Sequence, residues 1–67
     1  MIEVSINGET RSVSEGLKLR QLLEELGVLE HILLVEMNGD LIRREHFDEN
    51  AVEEGDILEL IRITGGG

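Results

Sequence analysis

Residues 17–27, LKLRQLLEELG, carry the clearest helical pattern of this 67-residue chain. The fold of the whole chain can be predicted by asking what packs against this helix. Four leucines recur at i, i+3, i+4 and i+7, which places them in one stripe along a helix: Leu19, Leu22, Leu23 and Leu26. Gly27 stands where helices commonly end in a left-handed residue. The pattern predicts one amphipathic helix, and its apolar stripe requires another element to pack against.

The N-terminal residues predict a β-hairpin. Residues 2–6, IEVSI, alternate apolar and polar side chains, so that the three apolar ones share one face of a strand. Asn7-Gly8 follows, a dipeptide that readily adopts the positive φ angles of a tight turn. Residues 9–13, ETRSV, predict the return strand, which is less apolar and is expected near an edge of the sheet.

Three further strands are predicted after the helix. Residues 31–37, HILLVEM, and a short strand at 41–42 lie on either side of a second Asn-Gly turn. Residues 57–63, ILELIRI, predict the last strand. The stretch 43–56 between them has no clear period and is interpreted as a loop with one irregular turn around residues 45–47.

The order of these elements is strand, strand, helix, strand, short strand, strand. It indicates an α+β protein in which one main helix covers one face of a mixed sheet of four to five strands. A two-layer domain of this size has only one place to bury its apolar surfaces. This arrangement is the β-grasp, or ubiquitin-like, fold. We expect a single domain over residues 1–67, with a flexible C-terminal tail at 64–67.

Charge and composition disfavour several classes of function. Fifteen acidic residues against six basic ones give a net charge of −9, which disfavours nucleic acid and anionic membranes because these require basic side chains. The same charge suits a partner with a basic docking face, or it serves solubility alone. With no cysteine and only His31 and His46, no metal site is expected. Since no signal peptide and no membrane-spanning segment is recognised, we expect a cytoplasmic protein.

The last strand has two different faces. Leu58 and Leu60 lie on one side, and Ile61 and Ile63 lie on the other. If the leucines point at the helix, the isoleucines lie on the open face of the sheet, just ahead of the tail, where Leu34 joins them. Exposed apolar surface beside a flexible end is a candidate docking site. The alternatives are that this face is the buried one, or that a dimer covers it.

Three glycines end the chain: Gly65, Gly66 and Gly67. Glycine has no Cβ, so such a tail is suited to thread through a narrow channel in a partner protein. The carboxylate of Gly67 is then the reactive group. Activation as an acyl-adenylate by an ATP-using partner makes it an electrophile, and attack by a sulfur nucleophile gives a thiocarboxylate. A frayed terminus is the simpler alternative.

Three stretches of the chain resemble the ThiS family of sulfur carriers: LLEELG (22–27), EMNGDLIRREHF (36–47) and EEGDILELIRITGGG (53–67). The resemblance runs over essentially the whole chain. Gly66 and Gly67 match the terminal diglycine of the family, and Arg44 matches the arginine that follows the Asn-Gly turn. Arg43 and Phe47 depart from the family, in which proline and tryptophan are common at these positions.

The resemblance implies a carrier whose Gly67 thiocarboxylate supplies sulfur for the thiazole moiety of thiamin. It implies three partners: an E1-like (ThiF-like) adenylating enzyme that uses ATP, a sulfur-mobilising enzyme, and a ThiG-like thiazole synthase. No cofactor is expected on the chain itself. The related molybdopterin carriers are less similar, because they usually have a proline-containing stretch before the diglycine.

Other functions stay open. The same tail would serve a ubiquitin-like protein modifier or a carrier for tRNA thiolation. A TGS-like regulatory domain shares the fold and the Gly-Asp pair before the last strand. An enzyme in its own right is the least favoured class, because no serine or cysteine nucleophile is paired with a histidine in a recognisable motif. The acidic residues between positions 48 and 56 lack the spacing of a calcium loop.

Overall fold

The computed structural model describes residues 1–62, which form a five-stranded mixed sheet with one α-helix packed on one face. The elements follow in chain order: β1 (Ile2–Ile6), β2 (Glu9–Val13), α1 (Leu19–Glu25), β3 (Ile32–Met37), β4 (Asp40–Arg43) and β5 (Ile57–Arg62). Two 3₁₀ segments, Leu29–His31 and Arg44–Glu49, lie before β3 and after β4. This is the β-grasp arrangement predicted from the sequence.

The last strand of the chain lies in the centre of the sheet. The spatial order is β2-β1-β5-β3-β4, in which β5 runs parallel to β1 and antiparallel to β3. β2 is an edge strand, as predicted from its polar composition. β5 ends at Arg62, so the central strand of the sheet is also the last described element before the glycine end of the sequence.

Both Asn-Gly dipeptides form the tight turns predicted for them. Asn7 and Gly8 have φ angles of 52° and 84°, and Asn38 and Gly39 have 53° and 91°. Positive φ at both central positions defines a type I′ turn, whose twist matches that of the strands it joins. Asparagine and glycine tolerate this conformation, so these residues determine the register of both hairpins.

The helix is shorter than its pattern predicted. Leu17 and Lys18 do not belong to it. The Leu17 carbonyl accepts the Val52 N–H at 2.9 Å, and Lys18 forms an isolated β-bridge with Ala51. At the other end Gly27 has a φ of 74°, the left-handed conformation predicted for the residue that ends the helix.

The core lies between α1 and the sheet. Its fully buried side chains are Leu19, Leu22 and Leu23 from the helix, Ile32, Val35 and Leu58 from the sheet, and Phe47. The inclusion of Phe47 was not predicted, because the loop interpretation of residues 43–56 left it on no defined face. The structure places it in the second 3₁₀ segment, which packs against α1, β3 and β4. The first 3₁₀ segment also corrects the start of the third strand, which begins at Ile32 and not at His31.

Candidate docking surface beside the end of β5

The face of the sheet that is turned away from α1 has a polar half and an apolar half. On β1 and β2 its side chains are polar: Glu3, Ser5, Thr10 and Ser12. On β3, β4 and β5 five apolar residues make up what we call the outer patch: Leu33, Leu34, Leu41, Ile57 and Ile61. Four of the five count as exposed, and Leu34 is half-buried. Exposed apolar area concentrated on one half of a face is typical of an interaction site.

Two residues predicted for this face lie side by side. Leu34 of β3 is directly opposite Ile61 of β5, and Arg43 of β4 is opposite Leu34 on the other side. Leu58 is completely buried in the core, whereas Ile61 on the other face of β5 is exposed. The alternative in which the Ile61 face is the buried one is therefore wrong. The placement of Leu34 and Ile61 is confirmed, while their role in docking stays a prediction.

An open hollow of about 510 Å³ lies on the side of the patch that borders β4. It is lined by Leu33, Leu34, Leu41, Arg43, Arg44 and Glu45. Three of these residues are leucines and three are charged, a composition that suits an apolar side chain with polar contacts around it. Leu33 and Leu41 were not predicted for this site.

A β-bulge accounts for the presence of Leu33. Between β3 and β5, Ile32 pairs with Arg62 and Leu34 pairs with Ile61, so β3 has one extra residue, Leu33, in this interval. Ile32 and Val35 are both fully buried although three positions separate them, which a regular two-residue alternation does not allow. The extra residue resolves this conflict, and two successive leucines face outward. In the sequence ILLVEM, the first four residues are all apolar and so break the two-residue alternation of a half-buried strand. This run is the signal that the strand prediction missed.

β5 is held on both sides by asparagine side chains from the two turns. On the β1 side, Asn7 Oδ1 accepts the Leu60 N–H at 2.8 Å, where β1 itself has ended. On the β3 side, Asn38 Oδ1 accepts the Ile57 N–H at 2.8 Å. The turn residues therefore have a second task, because they fix the strand that carries Ile61.

Asp56 supports the second of these contacts. Its Oδ1 accepts a hydrogen bond from Asn38 Nδ2 at 3.0 Å, and its Oδ2 accepts the Glu53 N–H at 2.7 Å. The acidic residues of this loop were interpreted as a solvated face. Asp56 corrects that interpretation, because the residue is half-buried and both oxygens of its carboxylate accept hydrogen bonds at the turn before β5.

Arg44 connects the two 3₁₀ segments. Its Nη1 donates hydrogen bonds to the carbonyl oxygen of Leu29 and, at 3.0 Å, to that of Ile32. One guanidinium thus bonds the backbone directly before the bulge. The family resemblance pointed to Arg44, but the sequence by itself gave it no partner.

The outer face also has a pair of like charges. Glu36 of β3 lies directly opposite Glu59 of β5, and the two are flanked by Leu34, Leu41 and Ile61. None of the ion pairs formed among residues 1–62 involves either glutamate. Like charges directly opposite each other in a sheet are destabilising, so this pair weakens the isolated sheet.

The histidines lie apart from this surface. His31 is exposed, and the Nδ1 atom of His46 is 3.1 Å from Glu49 Oε2, in a contact between two exposed side chains. Within residues 1–62, no three His, Asp or Glu side chains are grouped so that they would hold a metal ion. In the same part of the chain, no helix has both the length and the apolar character needed to cross a membrane. Ile63, Gly65, Gly66 and Gly67 lie outside the described residues.

Comparison with known proteins identifies the family. The model of the ThiS family matches residues 4–67. A sulfur carrier protein ThiS from Thermus thermophilus is 31% identical over 96% of this chain and 98% of its own length. A thiazole synthase from Paramagnetospirillum magneticum is 36% identical over 98% of this chain, which spans only 20% of that protein. A crystal structure of the thiamine biosynthesis protein ThiS from Geobacter metallireducens superposes with a TM-score of 0.82 at 36% identity, covering 98% of this chain and 100% of that one. The chain belongs to the ThiS family.

Proposed function

We propose that this protein is a sulfur carrier of thiamin biosynthesis that holds sulfur as a thiocarboxylate on Gly67. The observation that carries the proposal is the family match over residues 4–67, which includes the glycine end. The named relatives add to it, since one is called a sulfur carrier and another a thiamine biosynthesis protein.

The proposed chemistry takes place at the carboxylate of Gly67 and requires no side chain of this chain. In the first step the carboxylate attacks the α-phosphorus of ATP in the adenylating enzyme, pyrophosphate leaves, and an acyl-adenylate forms. In the second step a hydrosulfide attacks the acyl carbon and AMP leaves with the C–O bonding electrons. The product is a thiocarboxylate. The protein acts as a substrate for its partners and not as an enzyme.

Three partners follow from this chemistry: an E1-like adenylating enzyme, a sulfur-mobilising enzyme and a thiazole synthase that accepts the sulfur. Support for the last comes from two thiazole synthases, from Paramagnetospirillum magneticum and Magnetococcus marinus, which contain a region similar to 98% of this chain. We propose that all of these steps occur in the cytoplasm and that this chain binds no cofactor of its own.

The outer patch is the proposed docking surface for the adenylating enzyme. It includes Ile61 of β5, the last described strand, which lies six positions before Gly67 in the sequence. A partner that binds the patch holds the domain while Gly65 and Gly66 enter its active site. Glycines suit this role because they let the backbone approach a narrow channel without side-chain clashes.

The test is the intact mass of the protein after incubation with ATP, the adenylating enzyme of the same organism and a sulfide source. We expect the gain that corresponds to exchange of one oxygen for one sulfur. Deletion of Gly67 should abolish the gain and leave the circular dichroism spectrum unchanged. Ser14→Ala is the matched control, because Ser14 is exposed in the loop between β2 and α1, and it should keep the full gain.

Two results would contradict the proposal. One is a normal mass gain after deletion of Gly67. The other is no gain in the wild type with an enzyme shown to be active on another carrier. The second result would favour a ubiquitin-like modifier, which is tested by searching for Gly67 joined to lysine side chains, or a TGS-like regulatory domain.

A further inference from the structure

We propose that Arg44 is a positioning residue for the outer patch: its guanidinium holds the β3 bulge and so presents Leu33 and Leu34 together to the docking partner. The identity of that partner rests on the proposed function. The anchoring itself rests on hydrogen bonds within the chain and is measurable without a partner.

The first step of the argument is the geometry of the guanidinium. Nη1 of Arg44 has two hydrogens and meets two acceptors, the carbonyl oxygens of Leu29 and Ile32. The Leu29 oxygen also accepts the N–H of Ile32, which closes the first 3₁₀ segment. One side chain therefore joins the first residue of that segment, Leu29, to the first residue of β3, Ile32.

The second step concerns the peptide that enters the bulge. The carbonyl of Ile32 belongs to the same planar unit as the N–H of Leu33, so holding this oxygen fixes the orientation of the whole unit. A bulge interrupts the regular ladder and leaves its extra residue unpaired. Ile32 and Val35, which are fully buried, anchor the strand on the inner side. Arg44 adds a second anchor, at the carbonyl oxygen of Ile32.

The third step is the effect on the patch. Leu33 and Leu34 line the hollow together with Arg44 itself, and Leu34 lies opposite Ile61. If the bulge moves, both leucines move relative to β5. The separation between the hollow and Ile61 would then no longer be fixed before docking, and ordering it would cost binding free energy.

The neighbouring arginine provides a matched control. Arg43 lies on the outer face opposite Leu34, and no ion pair among residues 1–62 involves it. Arg43→Gln and Arg44→Gln remove the same charge from adjacent positions. Only the second removes hydrogen bonds to the backbone at the bulge.

The experiment measures amide hydrogen exchange in the free variants and their dissociation constants for the adenylating enzyme. In Arg44→Gln we expect the Ile32 amide to exchange at least about tenfold faster. Its acceptor, the Leu29 carbonyl oxygen, then no longer receives the hydrogen bond from Arg44 that holds it in place. The Asn7 amide, which donates to Leu58 in β5 at 2.9 Å, should keep its rate. The dissociation constant should rise about tenfold. In Arg43→Gln both exchange rates should stay at wild-type values.

Three outcomes would overturn the inference. Weaker binding of Arg44→Gln with unchanged exchange at Ile32 means that Arg44 contacts the partner directly. Equal acceleration at Ile32 and Asn7 means that Arg44 only stabilises the whole fold. Faster exchange at Ile32 with unchanged affinity means that the bulge does not position the patch. If Arg44→Gln does not fold, Arg44→Lys, which keeps a charged donor, is measured in the same way and should show smaller changes of the same kind.

Failure of the proposed function gives a different result. Wild-type protein that does not bind an active adenylating enzyme contradicts the carrier proposal. The exchange comparison between Arg43→Gln and Arg44→Gln in the free protein still decides whether Arg44 holds the bulge.

Discussion

Leu34 and Ile61 lie directly opposite each other on neighbouring strands, on the face of the sheet that α1 does not cover. Ile61 keeps 42% of its surface exposed, and it is the last outward-facing residue described before the glycine end. An apolar pair at this position gains little in the isolated protein, since water still reaches it. The pair becomes stabilising when a second surface covers it.

Ile61→Glu should therefore weaken binding to the adenylating enzyme far more than it weakens folding. A carboxylate inserted beside Leu34 stays hydrated in the free protein but loses that hydration in a complex. We expect the dissociation constant to rise by at least about tenfold, with a thermal midpoint within a few degrees of wild type. Calorimetric titration and thermal denaturation measure the two effects. Thr10→Glu, on the polar half of the same face, is the control and should bind normally. Loss of the folded spectrum in Ile61→Glu would contradict the assignment of the faces.

Asn38 should contribute more to stability than its exposed position suggests. Its side chain accepts the Ile57 N–H and donates to Asp56. Asn38→Gly keeps the positive φ of 53° accessible while it removes both side-chain hydrogen bonds. We expect a loss of about 1–2 kcal/mol in the free energy of unfolding. Urea denaturation with an unchanged m-value checks this. A loss below the experimental error would mean that water replaces the two hydrogen bonds of the Asn38 side chain without cost.

Glu59→Gln should have opposite effects on folding and binding. It removes the repulsion between Glu59 and Glu36, and we expect the thermal midpoint to rise by about 2 °C. If a basic side chain of the partner docks on this face, the same change lowers affinity, and the salt dependence of binding falls with it. Glu25→Gln on α1 makes the same change in net charge away from the patch, and neither effect should appear. A lower thermal midpoint for Glu59→Gln would contradict the claim that repulsion between Glu36 and Glu59 destabilises the sheet.

Phe47 should be the most sensitive core position in the chain. It is fully buried, and the segment that carries it packs against α1, β3 and β4. Phe47→Ala should cost about 3–5 kcal/mol, which is a large part of the stability of so small a domain. Leu41→Ala, with a side chain 62% exposed, is the control and should change stability by less than about 0.5 kcal/mol. Chemical denaturation of both variants measures the difference. Similar losses in the two would contradict the placement of Phe47 in the core.

The sequence alone determined the architecture, because the signals for it are local. Period-two and helical patterns, together with two Asn-Gly turns, are readable over a few residues, and their order leads to the β-grasp fold. The faces of β5 were also predictable, since alternation assigns Leu58 inward and Ile61 outward once the helix has one side to cover. The glycine end pointed to the carboxylate of Gly67, and the family resemblance added the sulfur chemistry that is proposed for it.

Tertiary structure decided what depends on contacts between distant residues. The bulge at Leu33 exists because Ile32 and Val35 must both be buried, and only the pairing of β3 with β5 shows where the extra residue lies. Arg44 finds its acceptors 12 and 15 positions away, at a point that a sequence pattern does not encode. Phe47 has no periodic neighbours that assign it a face, so its burial follows only from the packing of a 3₁₀ segment on α1. Local propensity specifies elements, whereas the shape of the outer patch depends on how those elements are held against one another.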